Sequence, residues 1–286
     1  MKQAFLIIAH NEYQILNLLI KLLDHKQSDI YILIDKKSQL PQNITVKYSN
    51  LFFLSNRVDI RWGDISQIKA ELLLFQEAFN KGPYLYYHLL SGVDLPIKPI
   101  DYIISFFQEN KGKEFVGYTN NNNWKERVYR YHFFTKYYRE TKGIKALIIH
   151  KLRHYLENII NTLVKRKRNK IYYKGCNWCS ITNNFCKYLL LTNKDILKEY
   201  KYTKCCDEIF IQTALQYSPY KQNIYSMIDE YEGCMRLIDW DRGNPYVWGK
   251  DLNDFEIIKS SNKLFARKFN YKTISFLYNI NENHTN

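Results

Sequence analysis

The sequence predicts an α/β fold in which a mixed, mostly parallel central sheet is flanked by helices. Within residues 1–120, short continuous apolar runs alternate with stretches in which apolar residues recur at helical spacing. A continuous apolar run is typical of a strand buried on both faces, and helices that connect such strands are typical of parallel sheets. Residues 84–90 are the clearest case, because their aromatic and branched side chains show no regular polar alternation. The sequence contains no internal repeat and no linker, so we expect one domain.

The predicted elements follow from these patterns in chain order. The first half is predicted to contain helices at 12–24, 65–80 and 101–110 and strands at 3–9, 30–35, 51–54, 58–61, 84–90 and 114–118. The second half is predicted to contain a polar loop at 119–123, a helix at 143–163, an Asn-capped helix that ends at 191 and a helix at 207–217. Strands and helices thus alternate mainly in residues 1–120, which fits a nucleotide-binding half.

Two acidic residues lie at the ends of predicted strands. Asp35 ends the strand at 30–35, and Asp94 follows the strand at 84–90. In open α/β sheets, ligands bind at the carboxyl ends of the strands, and Asp35 has the usual position for contacts to a nucleotide base and ribose. No G-x-G-x-x-G follows the first strand, which disfavours a dinucleotide-binding fold.

The chain is strongly basic. Its 42 Lys and Arg exceed its 28 Asp and Glu, which gives a net charge of +14 and favours an anionic partner: nucleic acid, a membrane surface or a phosphorylated substrate. No RNP-like, KH or zinc-finger pattern is present, so a non-catalytic nucleic-acid-binding protein is the disfavoured alternative. The first apolar run is too short for a signal peptide and no later run reaches membrane-spanning length, so we expect a cytosolic chain.

The cysteines indicate free thiols and no metal site. The chain has six cysteines, all in its second half, and without a secretory signal their default state is reduced. Cys176 and Cys179 form a C-x-x-C motif, with Cys205 and Cys206 as the other candidate ligands. Adjacent cysteines rarely supply the second pair of a zinc site, so structural zinc is disfavoured.

A candidate general base follows the cysteine pair. Glu208 comes directly after Asp207 at the start of the helix at 207–217, whose next residues are apolar. Desolvation by such neighbours could raise the pKa of Glu208 toward working pH, as a general base requires. A carboxylate that caps the helix and interacts with its dipole is the alternative.

Two motifs near the end of the chain could neutralise a diphosphate. Arg267 and Lys268 lie between two phenylalanines, and a departing diphosphate requires cations of this kind or a divalent metal. A solvated surface pair is the alternative explanation. The D-x-D motif Asp239-Trp240-Asp241 could bind Mn²⁺ or Mg²⁺ beside a phosphate.

The helix at 143–163 is amphipathic and ends in a basic run at 165–168. Two interpretations remain open. The helix could pack its apolar face on the core and leave its basic end in solvent, or it could lie on an anionic membrane surface.

Taken together, the motifs resemble one enzyme family. They are, in chain order, Trp62-Gly63 with Ser66, Leu90-Ser91-Gly92-Val93-Asp94-Leu95-Pro96, Tyr173-Lys174-Gly175-Cys176-Asn177-Trp178, Asp207-Glu208 with Gln212-Thr213, Ile238-Asp239-Trp240 and Leu264-Phe265-Ala266-Arg267-Lys268-Phe269. Over residues 3 to about 270, the chain is similar to the core-2/I-branching β-1,6-N-acetylglucosaminyltransferases and peptide O-xylosyltransferases of glycosyltransferase family 14, and especially to their short bacterial members.

The resemblance implies a GT-A-like catalytic domain over residues 1–286. Residues 1–120 would form the nucleotide-sugar-binding half, 121–270 the acceptor-binding and catalytic half, and 271–286 a tail. The implied enzyme inverts the anomeric centre of a UDP-sugar, GlcNAc or xylose, and needs no metal or other cofactor. Its acceptor would be a surface glycan precursor, such as a lipid-linked one, at the inner face of the cytoplasmic membrane.

The resemblance also implies roles for the catalytic and diphosphate-binding residues. Glu208 corresponds to the general base, and Lys268 corresponds to the residue that stabilises the departing diphosphate. A second arginine shares that task in the animal enzymes, and here either Arg242 or Arg267 must replace it.

The substrate-binding residues follow in the same way. The positions of Ile34 and Tyr86 surround uridine in the family, and we add Asp35 and Asp94 to the nucleotide site. Three residues are assigned to the acceptor, with Trp240 under the acceptor sugar and Arg127 and Trp178 beside it.

Overall fold

The strands form two sheets in the computed structural model, which describes residues 1–133, 135 and 143–273. The larger sheet has the order β3 (Asn50–Phe53), β2 (Ser28–Ile34), β1 (Gln3–Ala9), β4 (Tyr86–Ser91) and β6 (Ser180–Thr182). All of its neighbouring strands are parallel except β4 and β6. The smaller sheet has the order β5 (Asp94–Pro96), β8 (Phe265–Arg267) and β7 (Arg236–Ile238). The predicted mixed, mostly parallel central sheet is confirmed.

Helices cover both faces of the larger sheet. The described part of the chain contains α1 (Tyr13–Leu23), α2 (Ser66–Lys81), α3 (Ile100–Glu109), α4 (Glu126–Tyr129), α5 (Ile144–Leu163), α6 (Asn183–Leu191), α7 (Asn193–Tyr200), α8 (Asp207–Gln216), α9 (Glu230–Cys234) and α10 (Asp254–Ser260). Short 3₁₀ turns lie at Lys221–Asn223 and Tyr271–Thr273. Residues 274–286 of the predicted tail lie outside the described residues.

The core is divided by the sheet because successive strand residues point to opposite faces. Leu6 and Leu33 pack with α2, α6 and α8, whereas Ile7 and Ile32 pack with α1 and α3. All four side chains have 0% exposure. Burial on both faces is the physical reason why these strands are continuous apolar runs in the sequence.

The structure differs from the predicted elements in three segments of the chain. Residues 58–61 do not form a strand, and 114–118 contributes isolated bridges at Glu114 and Phe115 instead of a strand. The backbone there crosses another segment closely, since a Cβ on Gly117 would lie 2.0 Å from the carbonyl oxygen of Glu230. Residues 94–96, for which no strand is predicted, form β5 and pair with β8.

Helix α5 corrects another expectation. The interpretation in which its apolar face packs on the core is wrong, because Ile148, Leu152 and Tyr155 are 60%, 57% and 64% exposed. No helix in the described ranges is both long enough and apolar enough to cross a bilayer. All six cysteines lie in those ranges, and they are buried and form no disulfide.

Candidate active site

The candidate site lies where the carboxyl ends of β1 and β2 meet the end of β8. His10 follows β1, and the charges of Asp35, Lys37 and Arg267 all act on its ring, whose pKa is lowered mainly by desolvation. Asp35 follows β2 and Arg267 ends β8, so the two sheets contribute to one charged region. This is the edge at which the sequence predicts a nucleotide.

The peptide segment at Ile34 and Asp35 is held in place by basic residues. The guanidinium of Arg57 donates to the carbonyl oxygen of Ile34 at 3.1 Å and to that of Asp35 at 2.5 Å. The carboxylate of Asp35 accepts from the backbone N–H of Lys37 at 2.9 Å and lies 3.2 Å from its ammonium. The predicted nucleotide-binding segment is therefore rigid and next to cations.

Tyr86 must be removed from the predicted nucleotide site. It begins β4, at the end of the sheet opposite to Asp35, and has 0% exposure. Its hydroxyl donates to the carbonyl oxygens of Asn110 and Lys113 at 2.6 and 2.9 Å, and its ring packs on Phe107. Tyr86 has no exposed surface for a nucleotide, since both its ring and its hydroxyl are used by the core.

Asp94 holds an arginine instead of facing a ligand. Its carboxylate is 1% exposed, accepts from the backbone N–H of Ser91 at 2.8 Å and binds Arg267 at 2.8 Å. Burial raises the pKa of Asp94, and the charge of Arg267 opposes this. The guanidinium of Arg267 also lies 4.7 Å from the ring centre of Trp178. Asp94 therefore positions Arg267 against Trp178.

Arg242 is also neutralised by carboxylates. Its guanidinium binds Asp239 at 2.5 Å and Asp254 at 2.9 Å, and it stacks 4.0 Å from the ring centre of Tyr246. The two arginines proposed as partners of Lys268 are thus both in ion pairs. Neither is a free cation.

Lys268 differs from both arginines. Within the described ranges no carboxylate pairs with its ammonium. Partial burial lowers the pKa of Lys268, and the positive charges of Arg267 and Lys250 lower it further. Lys250 was not identified from the sequence because no motif surrounds it. Since only positive charges act on Lys268, a bound anion would stabilise its ammonium.

The two carboxylates of the D-x-D motif differ in their hydrogen bonding. One carboxylate oxygen of Asp239 accepts from the backbone N–H groups of Asp241 and Arg242 at 2.9 and 3.0 Å, and the other binds the Arg242 side chain. Asp241 is exposed. A metal at this motif would have to displace Arg242 from Asp239. Across the described residues, no three or more His, Cys, Asp or Glu side chains are grouped as metal ligands.

Glu208 lies in the first turn of α8 and pairs with two cations. Its carboxylate binds Arg127 at 2.7 Å and lies 3.4 Å from the ammonium of Lys174, and 32% of its side chain is exposed. The predicted acceptor-side arginine therefore contacts the predicted base directly. Lys174 was part of a motif in the sequence, but its contact with Glu208 was not predicted.

A short segment connects the two halves of the site. The backbone N–H of Gly175 donates to the carbonyl oxygen of Glu208 at 2.9 Å, and Trp178, three residues later, stacks on Arg267. Trp240 is 50% exposed and follows β7, whose last residue Ile238 pairs with Arg267. These contacts connect the predicted base to Arg267 and to two indole side chains, Trp178 and Trp240.

Two buried carboxyl groups lie behind Glu208. Asp207 accepts from the side-chain N–H of Gln67 at 2.8 Å, and its other oxygen has no partner among the described residues. Burial raises the pKa of Asp207 to about 7, and the charge of Glu208 acts in the same direction. Glu71, on α2, is 1% exposed, and burial together with Asp207 raises its pKa. Glu71 was not identified from the sequence, because it lies on a face of α2 that is otherwise mainly apolar.

Comparisons with known proteins identify the class of enzyme. Residues 3–259 match the family model for Core-2/I-Branching enzyme, which places the chain among the glycosyltransferases. The chain belongs to the Core-2/I-Branching enzyme family. No curated protein matches it. Among solved structures, mouse xyloside xylosyltransferase 1 in its apo form shares 10% identity, with 95% of this chain and 98% of that chain covered and a TM-score of 0.39. A likeness that distant carries no argument about function.

The raised pKa of Asp207 predicts a pH-dependent loss of stability. The pKa of an Asp in the unfolded chain is about 3.9, well below that of Asp207 in the folded protein. Because the folded state favours the protonated carboxyl, the free energy of unfolding falls as the pH rises and is lowest above about 7. Between pH 5 and 8 the wild type should lose about 2 kcal/mol more free energy of unfolding than Asp207→Asn. Urea denaturation at the two pH values measures this.

The matched control is Asp59→Asn. The pKa of Asp59 is lowered by its bonds to Lys37 and Arg61, so its ionisation is complete below pH 5. This variant should retain the wild-type difference between pH 5 and 8. Equal losses in the wild type and Asp207→Asn would show that Asp207 is already ionised at pH 5.

Proposed function

We propose that the chain is an inverting, metal-independent transferase that moves a sugar, GlcNAc or xylose, from a UDP-sugar to a hydroxyl group of a glycan. The observation that carries this proposal is Lys268, whose ammonium has no carboxylate partner in the described residues and on which the positive charges of Arg267 and Lys250 act. Lys268 follows Arg267 in the chain, and Arg267 is linked through Trp178 and the 174–178 segment to Glu208. A general base and an anion-binding site on one connected frame support transfer from a diphosphate donor.

Each charged group has one role in the proposed reaction. Glu208 takes the proton from the acceptor hydroxyl, whose oxygen attacks the anomeric carbon on the face opposite the diphosphate. The bond from that carbon to the diphosphate oxygen breaks, and UDP leaves with both electrons. Lys268 and Lys250 neutralise the charge that develops on the diphosphate. Arg127 orients Glu208 through a hydrogen bond of 2.7 Å from its guanidinium to the carboxylate. Trp240 provides a flat surface for the acceptor sugar.

The nucleotide portion of the donor is assigned to the edge of the larger sheet. Asp35 and the main chain at Ile34 lie there with Lys37 and Arg57 beside them. The electrostatic contact of His10 with both Asp35 and Arg267 connects this position to the diphosphate site. A donor bound across the edge would thus extend from Asp35 toward Lys268.

The first test is UDP release from a panel of UDP-sugars with glycan acceptors, for the wild type and Glu208→Gln. The wild type should release UDP with one sugar above the others. Glu208→Gln should retain donor binding but lower turnover by about two to four orders of magnitude, because it cannot accept a proton. Glu126→Gln, on the short helix α4 before Arg127, serves as the control and should retain activity.

Near-normal turnover in Glu208→Gln would reject Glu208 as the base and reopen Asp94 or Asp207. Absence of binding or turnover with any nucleotide sugar, together with tight, salt-sensitive RNA binding, would instead favour a nucleic-acid-binding protein.

The second test concerns the cations. Lys268→Ala should weaken UDP binding and slow transfer by about tenfold to a hundredfold, and Lys250→Ala should have a smaller effect in the same direction. Lys259→Ala, an exposed lysine on α10, is the matched control and should bind UDP normally. Isothermal titration with UDP and steady-state kinetics measure the two effects.

Metal dependence is tested in the same assay. The wild type should remain fully active in EDTA, since the proposed mechanism assigns the diphosphate charge to lysines. Complete loss of activity in EDTA, restored by Mn²⁺, would instead assign the diphosphate to a metal at Asp239 and Asp241.

A further inference from the structure

Helix α5 presents its apolar side to solvent. Ile148, Leu152 and Tyr155 are 60%, 57% and 64% exposed. They belong to a stripe that repeats every three or four residues along the whole helix, which we call the α5 stripe: Ile144, Ile148, Leu152, Tyr155, Ile159 and Leu163. A surface helix normally buries such a stripe against its own protein. The exposed stripe therefore requires a different partner.

The opposite, polar side of α5 faces the protein. Glu157 is 7% exposed and accepts from the backbone N–H of Phe133 at 3.0 Å. Asn161 accepts from the backbone N–H of Tyr131 at 2.6 Å and donates to its carbonyl oxygen at 2.9 Å. Rotation of α5 to bury the stripe would break these bonds and expose their partners, so the orientation of the helix is fixed by hydrogen bonds.

Cations accompany the α5 stripe. Lys151 is exposed and lies beside Tyr155 on the helix surface, four residues away. Just after the helix, Lys165 and Lys167 are exposed, whereas Arg166 and Arg168 turn inward and donate to backbone carbonyl oxygens, including that of Glu199. Two of the four cations in the predicted basic run are thus used internally. The other two remain available next to the stripe.

We propose that α5 lies on a phospholipid bilayer whose headgroups are anionic. The α5 stripe enters the boundary between headgroups and acyl chains, and Lys151, Lys165 and Lys167 contact the headgroups. A second copy of the chain fits this surface poorly, because each copy has a net charge of +14 and the same lysines border the stripe. An anionic surface satisfies the apolar stripe and its cations together.

The connection from α5 to Glu208 is short. Tyr131 and Phe133 bind α5, and four residues before Tyr131 the side chain of Arg127 binds Glu208. The segment that carries Arg127 to Glu208 thus continues directly into the residues that hold α5. On the assumption of the proposed transferase function, the acceptor is a lipid-linked glycan presented at the surface on which α5 lies.

Co-sedimentation with vesicles tests the docking without donor or acceptor, so its result does not depend on the transferase activity. The wild type should bind vesicles of phosphatidylglycerol mixed with phosphatidylcholine and bind phosphatidylcholine alone at least about tenfold more weakly. Each cation near an anionic surface contributes about a fivefold factor. High salt should therefore release the protein, because exposed charges are screened.

Two double variants separate the apolar and charged contributions. Ile148→Ser with Leu152→Ser, and Lys165→Glu with Lys167→Glu, should each lower binding by at least about tenfold. The controls are Ile228→Ser with Leu252→Ser, which are 78% and 98% exposed elsewhere, and Lys111→Glu with Lys187→Glu, exposed lysines on other elements. Both controls should bind nearly as the wild type does. Since the stripe and lysines are exposed, all variants should retain the wild-type melting temperature.

Three results would overturn the proposal. The first is equal binding to anionic and neutral vesicles, or binding to neither. The second is binding that the stripe and lysine variants do not weaken more than their controls. The third is a wild-type dimer in sedimentation velocity that Ile148→Ser with Leu152→Ser converts to a monomer, because the stripe would then be covered by a second copy.

The UDP-release assay separates this proposal from the transferase function. UDP release with a soluble acceptor should be normal in all these variants. A wild type that binds vesicles but releases no UDP would contradict only the transferase function.

Discussion

The buried carboxylate of Asp94 links the two sheets and forms an ion pair with Arg267. Asp94 begins β5, where its carboxylate accepts from the backbone N–H of Ser91, the last residue of β4, and binds Arg267, the last residue of β8, at 2.8 Å. Removing one partner of such a pair leaves a buried charge and typically costs about 3 to 5 kcal/mol. Because Arg267 is fixed by Asp94, the next residue, Lys268, is presented without a carboxylate of its own among the described residues. The ion pair and the cation proposed to bind the diphosphate are therefore neighbours in the chain.

The second constraint is the close packing of the backbone at Gly175, Gly117 and Glu230, next to Glu208. A Cβ on Gly175 would lie 1.8 Å from the carbonyl oxygen of Gly117, so only glycine permits the approach. This crossing brings Lys174 to Glu208 and carries the chain to Trp178 beside Arg267. The motif residues around Gly175 thus have a structural explanation, since they connect Glu208 to Arg267.

The sequence predicted those features that depend on local pattern or on the family motifs. Strands β1, β2 and β4 were identifiable because both of their faces are buried, whereas β5, β7 and β8 contain three residues each and have no periodicity to detect. The roles proposed for Glu208 and Lys268 rest on the family resemblance. The contact between Arg127 and Glu208 joins residues 81 positions apart, and neither it nor the proximity of Lys250 to Lys268 is encoded in any local pattern. Similarly, the periodicity of α5 predicted a helix but not which of its sides faces solvent.

The most direct test of this account is a crystal structure of the chain with bound UDP. The account predicts diphosphate oxygens within about 3 Å of the Lys268 ammonium, with Lys250 on the same side and the uracil ring near Asp35. Glu208 should remain paired with Arg127 and face the position left by the sugar. A diphosphate bound at Asp239 and Asp241 through a metal, or bound away from Lys268 altogether, would contradict it.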